Sequence, residues 1–205
     1  MELDTVWGHI DARRARLADL LDGLPDESWQ VPSLCAGWRV RDVAAHLTLA
    51  QARVRDVLPW LLRTGSYNAM VRESAVHLRA GREEIVATLR SFVGSRRTAP
   101  FVTPLEPLID ILVHTQDICV PLGIDEPVPP EAATTAAERV VALNERRLIR
   151  LRPPLSGVRL VATDTGWTWG EGRVVRGEAR WLLLALAGRE AALERLTGEV
   201  AALVR

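Results

Sequence analysis

Between Leu105 and Leu122 the chain reads LEPLIDILVHTQDICVPL, an apolar run crossed by one polar stripe. Glu106, Asp110, His114 and Asp117 step by four, four and three residues, which at 3.6 residues per turn puts them on one helical face. Leu105, Leu108, Ile109, Ile111, Leu112, Val113 and Ile118 cover the remainder. A helix apolar nearly all round belongs in a core, and carboxylates or an imidazole carried inside must be paired, hydrogen-bonded or placed on a metal. This segment therefore demands neighbours that close over it.

The neighbours are legible as amphipathic helices. A first helix is expected from about Asp4 to Leu24, with Val6, Ile10, Leu17, Leu20, Leu21 and Leu24 as its apolar stripe. After Pro25-Asp26 comes a loop, DESWQVPSLCAGW, holding Trp29 and Trp38. A second helix starts near Val40 and is expected to continue toward Leu58, ahead of Pro59. Gly65 to Asn68 reads as a break, and a third helix is expected from about Met70 to Ser95. The striped helix is entered through Pro104 and Pro107, tolerated in a first turn, and is closed by Pro121 and Gly123. A fifth helix is expected from Glu131 to about Arg150.

Character changes at Arg152-Pro153-Pro154. GVRLVATD alternates as a strand does, and further short strands are expected around Gly170-Glu171-Gly172. Glu178 to Ala187 returns to helix, with Gly188 as its C-terminal cap. The expectation is a mainly α chain: a helical bundle over residues 1–150, followed by a small α+β module over residues 151–205.

Composition excludes some partners. Lys+Arg 26 equals Asp+Glu 26, so no net field points to nucleic acid or an anionic membrane. The run Leu182 to Ala187 is too short to span a bilayer, and the N-terminus lacks the basic start and apolar run of a signal peptide. Two cysteines, Cys35 and Cys119, build no disulfide framework. A cytoplasmic protein is expected.

Asp110 and His114, four residues apart, project side by side from one helix turn, the helical way of presenting two metal ligands. A third must come from another helix. His9 and His77 fall on positions read as exposed, which leaves His46, at the margin of the second helix's buried face. Two imidazoles and one carboxylate leave a coordination position open, the mark of a catalytic rather than a structural site. Against this stands a plain helix contact worth about 0.2–0.5 kcal/mol, with His46 as a satisfied core histidine. Cys35 is read mainly as a small buried hydrophobe, and secondarily as a ligand or nucleophile.

The run PSLCAGWRVRDVAAHL (residues 32–47), followed by DILVHTQDICVPLG (residues 110–123), resembles the mycothiol-dependent maleylpyruvate isomerase family, within the DinB-like superfamily of metal-binding four-helix bundles. The family's Trp-x-Val-x-Asp-x-x-x-His pattern falls on Trp38, Val40, Asp42 and His46, and its acidic-x-x-x-His pattern on Asp110 and His114. VVRGEARWLLLALAGRE is similar to a helix of the family's C-terminal module. The resemblance implies a DinB-like four-helix bundle followed by a small α+β module. It also implies that His46, Asp110 and His114 bind a divalent metal, most often zinc, with mycothiol as the thiol partner. Two departures stand out: the acidic ligand is often Glu in relatives, so Asp110 is one methylene short, and Arg39 stands where a Ser or Thr N-cap is usual, a loss of about 1 kcal/mol. Asp117 is placed either to orient a ligand imidazole or as an ordinary core partner. Glu106 is a reserve carboxylate that also suits a helix start.

The implied chemistry is activation of a low-molecular-weight thiol at the open metal position, for addition to a small electrophilic substrate. Elimination after rotation gives an isomerase, and retention of the sulfur a transferase. Arg41, Arg53 and Arg55 lie near His46 in sequence and would pair substrate carboxylates, or form a solvated helix face. The alternatives are a metal-assisted hydrolase, with Asp117 or Glu106 as base, and a non-catalytic bundle that binds metal or a small ligand. Monomer and homodimer both remain open.

Overall fold

The computed structural model describes residues 1–51, 63, 73, 75–98, 102–146, 151 and 155–204. The chain divides into two compact units, Met1–Glu126 and Pro127–Arg205.

Four α-helices form the first unit among the described residues: α1 (Leu3–Asp22), α2 (Val40–Leu47), α3 (Arg82–Ser91) and α4 (Leu105–Cys119). α1 packs against α3 and α4, and α2 packs against the same two. The apolar periodicity explains which faces meet: Ile10, Leu17 and Leu21 from α1, Val40 and Val43 from α2, Ile85 from α3, and Leu108 and Ile118 from α4 are fully buried or nearly so. Each such side chain contributes about 1.5–3 kcal/mol of burial. The mainly α bundle expected from the sequence is what folds.

Two helices differ from expectation. α2 ends at Leu47 because its last turn tightens: Leu49 N–H donates to His46 O, and the Thr48 hydroxyl donates to Ala45 O at 2.6 Å. The expected stretch toward Leu58 lies outside the described residues beyond Gln51, as do the break at Gly65–Asn68 and the start of the third helix at Met70. That third helix is not continuous to Ser95. Ala75 and Val76 are helical, Leu78 to Gly81 are not, and α3 starts afresh at Arg82 with Gly81 as its N-cap. Arg41 fills the gap, donating through Nη2 to the carbonyls of Leu78 and Ala80.

At the start of α2, Arg39 makes no side-chain cap, as expected of a side chain with only donors. Asp42 Oδ2 instead accepts the Arg39 N–H at 2.9 Å, so half of a capping box remains.

The second unit holds α5 (Pro130–Glu145), a sheet and α6 (Ala179–Leu186). α5 packs on α6, so the fifth helix groups with the strands and not with the bundle. The division falls between Glu126 and Pro127, ahead of the boundary expected near residue 150. The sheet comprises β1 (Val158–Ala162), β2 (Thr168–Gly170), β3 (Arg173–Gly177) and β4 (Thr197–Gly198), ordered β2-β1-β3-β4. β1 is antiparallel to β2 and parallel to β3.

Two residues therefore carry the chain from one side of β1 to the other, around its start at Gly157. Gly172 makes that crossing feasible. Its φ is +107°, and a Cβ there would lie 2.5 Å from Gly157 O. Gly172→Ala should cost about 1–3 kcal/mol of stability, read as a lower denaturant midpoint at unchanged slope. Among the described residues no helix is long and apolar enough to cross a membrane.

Candidate metal centre

The polar stripe on α4 separates into distinct jobs. Glu106, at the helix start, accepts the Thr103 N–H at 2.7 Å and the Thr103 hydroxyl through Oε2, so it serves as an end cap. Asp110 and His114 lie one and two turns further along and are half-buried, and Asp117 is 0% exposed.

His46, on the last turn of α2, faces them. The ligand atoms of His46, Asp110 and His114 all lie within 4.8 Å of one another. The His46 and His114 rings stand edge to face with centroids 4.9 Å apart. Trp38 walls the pair, tilted against His46 at 5.4 Å and stacked on His114 at 6.4 Å. A tetrahedral ion with bonds of about 2.0–2.2 Å wants donors about 3.3 Å apart. The donor set of two imidazoles and a carboxylate suits a divalent transition ion. Asp110 thus converges with both histidines despite its shorter side chain. A crevice of about 10 Å³, room for roughly one water, lies beside Asp110 between Arg14, Leu47 and Phe92.

The orientation of His114 is fixed from behind. Its Nδ1 lies 2.8 Å from Asp117 Oδ2, a contact that a proton on Nδ1 satisfies and that leaves Nε2 to face a cation. Cys35 joins the same oxygen: its thiol donates to Asp117 Oδ2 at 3.1 Å, with Sγ 3.8 Å from His114 Nδ1.

The loop before α2 is shaped to deliver this contact. Trp38 N–H donates to Cys35 O at 2.9 Å, closing a four-residue turn whose third residue, Gly37, has φ +77°, as a type II turn requires. Ser33 Oγ accepts the Cys35 N–H and donates to Trp38 O. The loop then docks on α4 through Leu34 N–H to Asp117 O at 3.2 Å. That carbonyl's helical donor would come from residue 121, which is proline and has no N–H. Cys35 is a neighbour of this cluster whose position helical periodicity does not reveal.

The remaining residues fall elsewhere. Arg41 uses its guanidinium on the Leu78 and Ala80 carbonyls, with Asp42 3.6 Å away. Arg53 and Arg55 lie outside the described residues. His77 is exposed and pairs with Glu73, and His9 is half-buried on α1 away from the cluster. Cys119 is fully buried, and burial, reinforced by the charge of Glu126, pushes its thiol up to about 12. The folded chain thus keeps that proton at pH values where the unfolded thiol, at 9.0, gives it up. Stability should therefore fall as pH rises from about 9 toward 12. An alkylating reagent should label Cys35 alone in the native protein and reach Cys119 only after unfolding, as read by mass spectrometry.

A helical unit that gathers His46, Asp110 and His114 from two facing helices, with a small α+β unit after it, defines a bundle protein with a candidate cation-binding core. The family model for the mycothiol maleylpyruvate isomerase N-terminal domain matches residues 10–119, just over half of the chain, and the chain belongs to that family. Two crystal structures share the fold. One, of a histidine-to-alanine mutant of the mycothiol-dependent maleylpyruvate isomerase, aligns with a TM-score of 0.67 at 13% identity over 97% of this chain and 93% of that one. Another, of the mycothiol-dependent maleylpyruvate isomerase, aligns with a TM-score of 0.65 at the same identity and coverage. No curated protein matches.

Proposed function

We propose that this protein is a divalent-metal-dependent thiol enzyme, with zinc as the metal and mycothiol or a related low-molecular-weight thiol as partner, acting on a small electrophilic substrate. The observation that carries the reading is the convergence of His46, Asp110 and His114 within 4.8 Å in a chain of the mycothiol maleylpyruvate isomerase family. The three side chains would hold the ion and leave a position open for sulfur. Bound there, the ion supplies Lewis acidity that lowers the pKa of a thiol and gives thiolate near neutral pH.

The chain's own residues supply the rest. Asp117 holds His114 in the tautomer that leaves Nε2 for the ion. Trp38 covers one side of both imidazoles and keeps water from that side, which strengthens the electrostatics of the site. For a substrate with a conjugated cis double bond, addition of sulfur leaves a single bond that rotates, and expulsion of the sulfur returns the trans isomer. Where the sulfur stays, the outcome is S-transfer.

Hydrolysis is the weaker reading, because its two proposed bases are engaged: Asp117 with His114 and Cys35, and Glu106 with Thr103. The test is incubation of metal-loaded protein with mycothiol and a panel of electrophiles, maleylpyruvate among them, followed by mass spectrometry. Isomer formed without net thiol consumption, or a thiol adduct, is the expected result. Water-derived products, or thiol binding with no turnover across the panel, would replace this reading with a hydrolase or a binding module respectively.

A further inference from the structure

We propose that Cys35, His114 and Asp117 constitute a second cation site, selective for thiophilic divalent ions, which takes His114 through the ring nitrogen opposite the one used by the His46/Asp110/His114 set. Neither the family reading nor the proposed activity calls for this site.

Its donor atoms are already gathered: Sγ to Oδ2 is 3.1 Å, Nδ1 to Oδ2 is 2.8 Å and Sγ to Nδ1 is 3.8 Å. Two of these spacings are slightly shorter and one slightly longer than a tetrahedral ion requires, because two protons now hold the group together. An ion entering the centre would need shifts of only a few tenths of an ångström. Thiolate, imidazole and carboxylate together favour zinc or cadmium over magnesium or calcium. Access and rigidity are both provided. Cys35 is half-buried on a hydrogen-bonded turn, while Asp117 is fully buried and anchored on α4. The loop that carries the thiol is fixed to the helix that carries the other two ligands by Leu34 N–H to Asp117 O.

The proton balance follows from the contacts. Binding forms M–Sγ, M–Nδ1 and M–Oδ2 bonds. The Cys35 thiol proton leaves to solvent, and the Nδ1 proton of His114 is displaced. With the neighbouring set vacant, that proton is taken up at Nε2 and one proton is released in total. With the neighbouring set occupied, His114 must bridge as an imidazolate and two protons are released. The two sites therefore oppose each other through His114, and a soft ion at Cys35 lowers the affinity of the other set.

Cadmium titration of the metal-free full-length protein tests this, following the ultraviolet thiolate-to-cadmium charge-transfer band. Wild type should develop the band, and Cys119→Ala should keep it in full. Cys35→Ser should lose it, while retaining an O–H for Asp117 and leaving the loop's Leu34 N–H to Asp117 O anchor in place. His46→Ala should keep the band with affinity within about threefold, and Asp117→Asn should weaken it by about 10-fold or more. Thermal melts of each metal-free variant verify folding, and Cys35→Ala substitutes if the serine variant does not fold. No band in wild type, a band undiminished in the Cys35 variants, or a band lost in folded His46→Ala would each overturn the proposal. Because His46→Ala removes the catalytic set and Cys35→Ser removes only the second site, failure of one reading is distinguishable from failure of the other.

Discussion

His46→Ala should abolish binding of the ion proposed for the His46/Asp110/His114 set while leaving the bundle folded. The side chain sits at the end of α2, half-buried, and its ring meets His114 at 4.9 Å and Trp38 at 5.4 Å. Removing it cuts the protein ligands from three to two, below the three that open catalytic sites keep. Mutation of residues that merely orient ligands costs about 10–100-fold in metal affinity, so deletion of a ligand should exceed about 100-fold. Elemental analysis after dialysis, run in the Cys35→Ser background so that the second site holds no ion, should show about one ion per chain with His46 in place and close to none with alanine there. In that background the increase in melting temperature on adding metal should vanish with it, since that shift reports binding to the native state alone. If His46 is only a packed core residue, the two proteins will carry the same metal and differ solely in metal-free stability. That result would remove the basis for the enzymatic reading.

The striped helix was legible because its signal is local. A period of 3.6 residues in polar positions, set in Leu, Ile and Val, survives any tertiary arrangement, and α4 runs Leu105–Cys119 much as the pattern requires. His46 was legible by elimination among four histidines. Cys35 was not, because its meeting with Asp117 depends on a turn and on the docking of a loop, neither of which leaves a periodic trace. Two faint signals existed. Gly37 marks the third residue of the turn from Cys35, and Pro121 strips the Asp117 carbonyl of its helical donor, so that something outside the helix must supply an N–H.

The other departures have the same origin. Arg41 is a substrate-binding candidate on its sequence proximity to His46 alone. Its engagement with the break at Leu78 to Gly81, a stretch expected to be continuous helix, is a tertiary contact that proximity does not reveal. Apolar positions on both sides of that break keep helical spacing, and only Gly81 disturbs them. Two proline clusters, one at Pro127, Pro129 and Pro130 and the other at Pro153 and Pro154, compete as boundary signals, and composition alone weighs them equally. Packing of α5 on α6 decides for the earlier one, a long-range fact that no window of sequence contains.

Asp117→Asn should separate the metal centre's affinity from the stability of the fold. The substitution is nearly isosteric, so the Leu34 N–H to Asp117 O backbone contact and the packing of α4 are retained. What changes is the charge behind His114. The carboxylate accepts the Nδ1 proton at 2.8 Å and the Cys35 thiol at 3.1 Å on one oxygen. It thereby holds the imidazole in one orientation and would offset part of a bound ion's positive charge, at a position with no solvent exposure. An amide does neither as well. Metal affinity at the His46/Asp110/His114 set should fall by about 10–100-fold. By linkage this removes ~1.4–2.7 kcal/mol of metal-induced stabilisation at saturating metal. The metal-free protein should move the other way or not at all, because a buried carboxylate is costly without a cation beside it. Denaturant melts with and without metal, run side by side on both proteins, read these opposite signs directly. Equal loss in both conditions would mean that Asp117 serves packing alone and that the tautomer of His114 is set by something else.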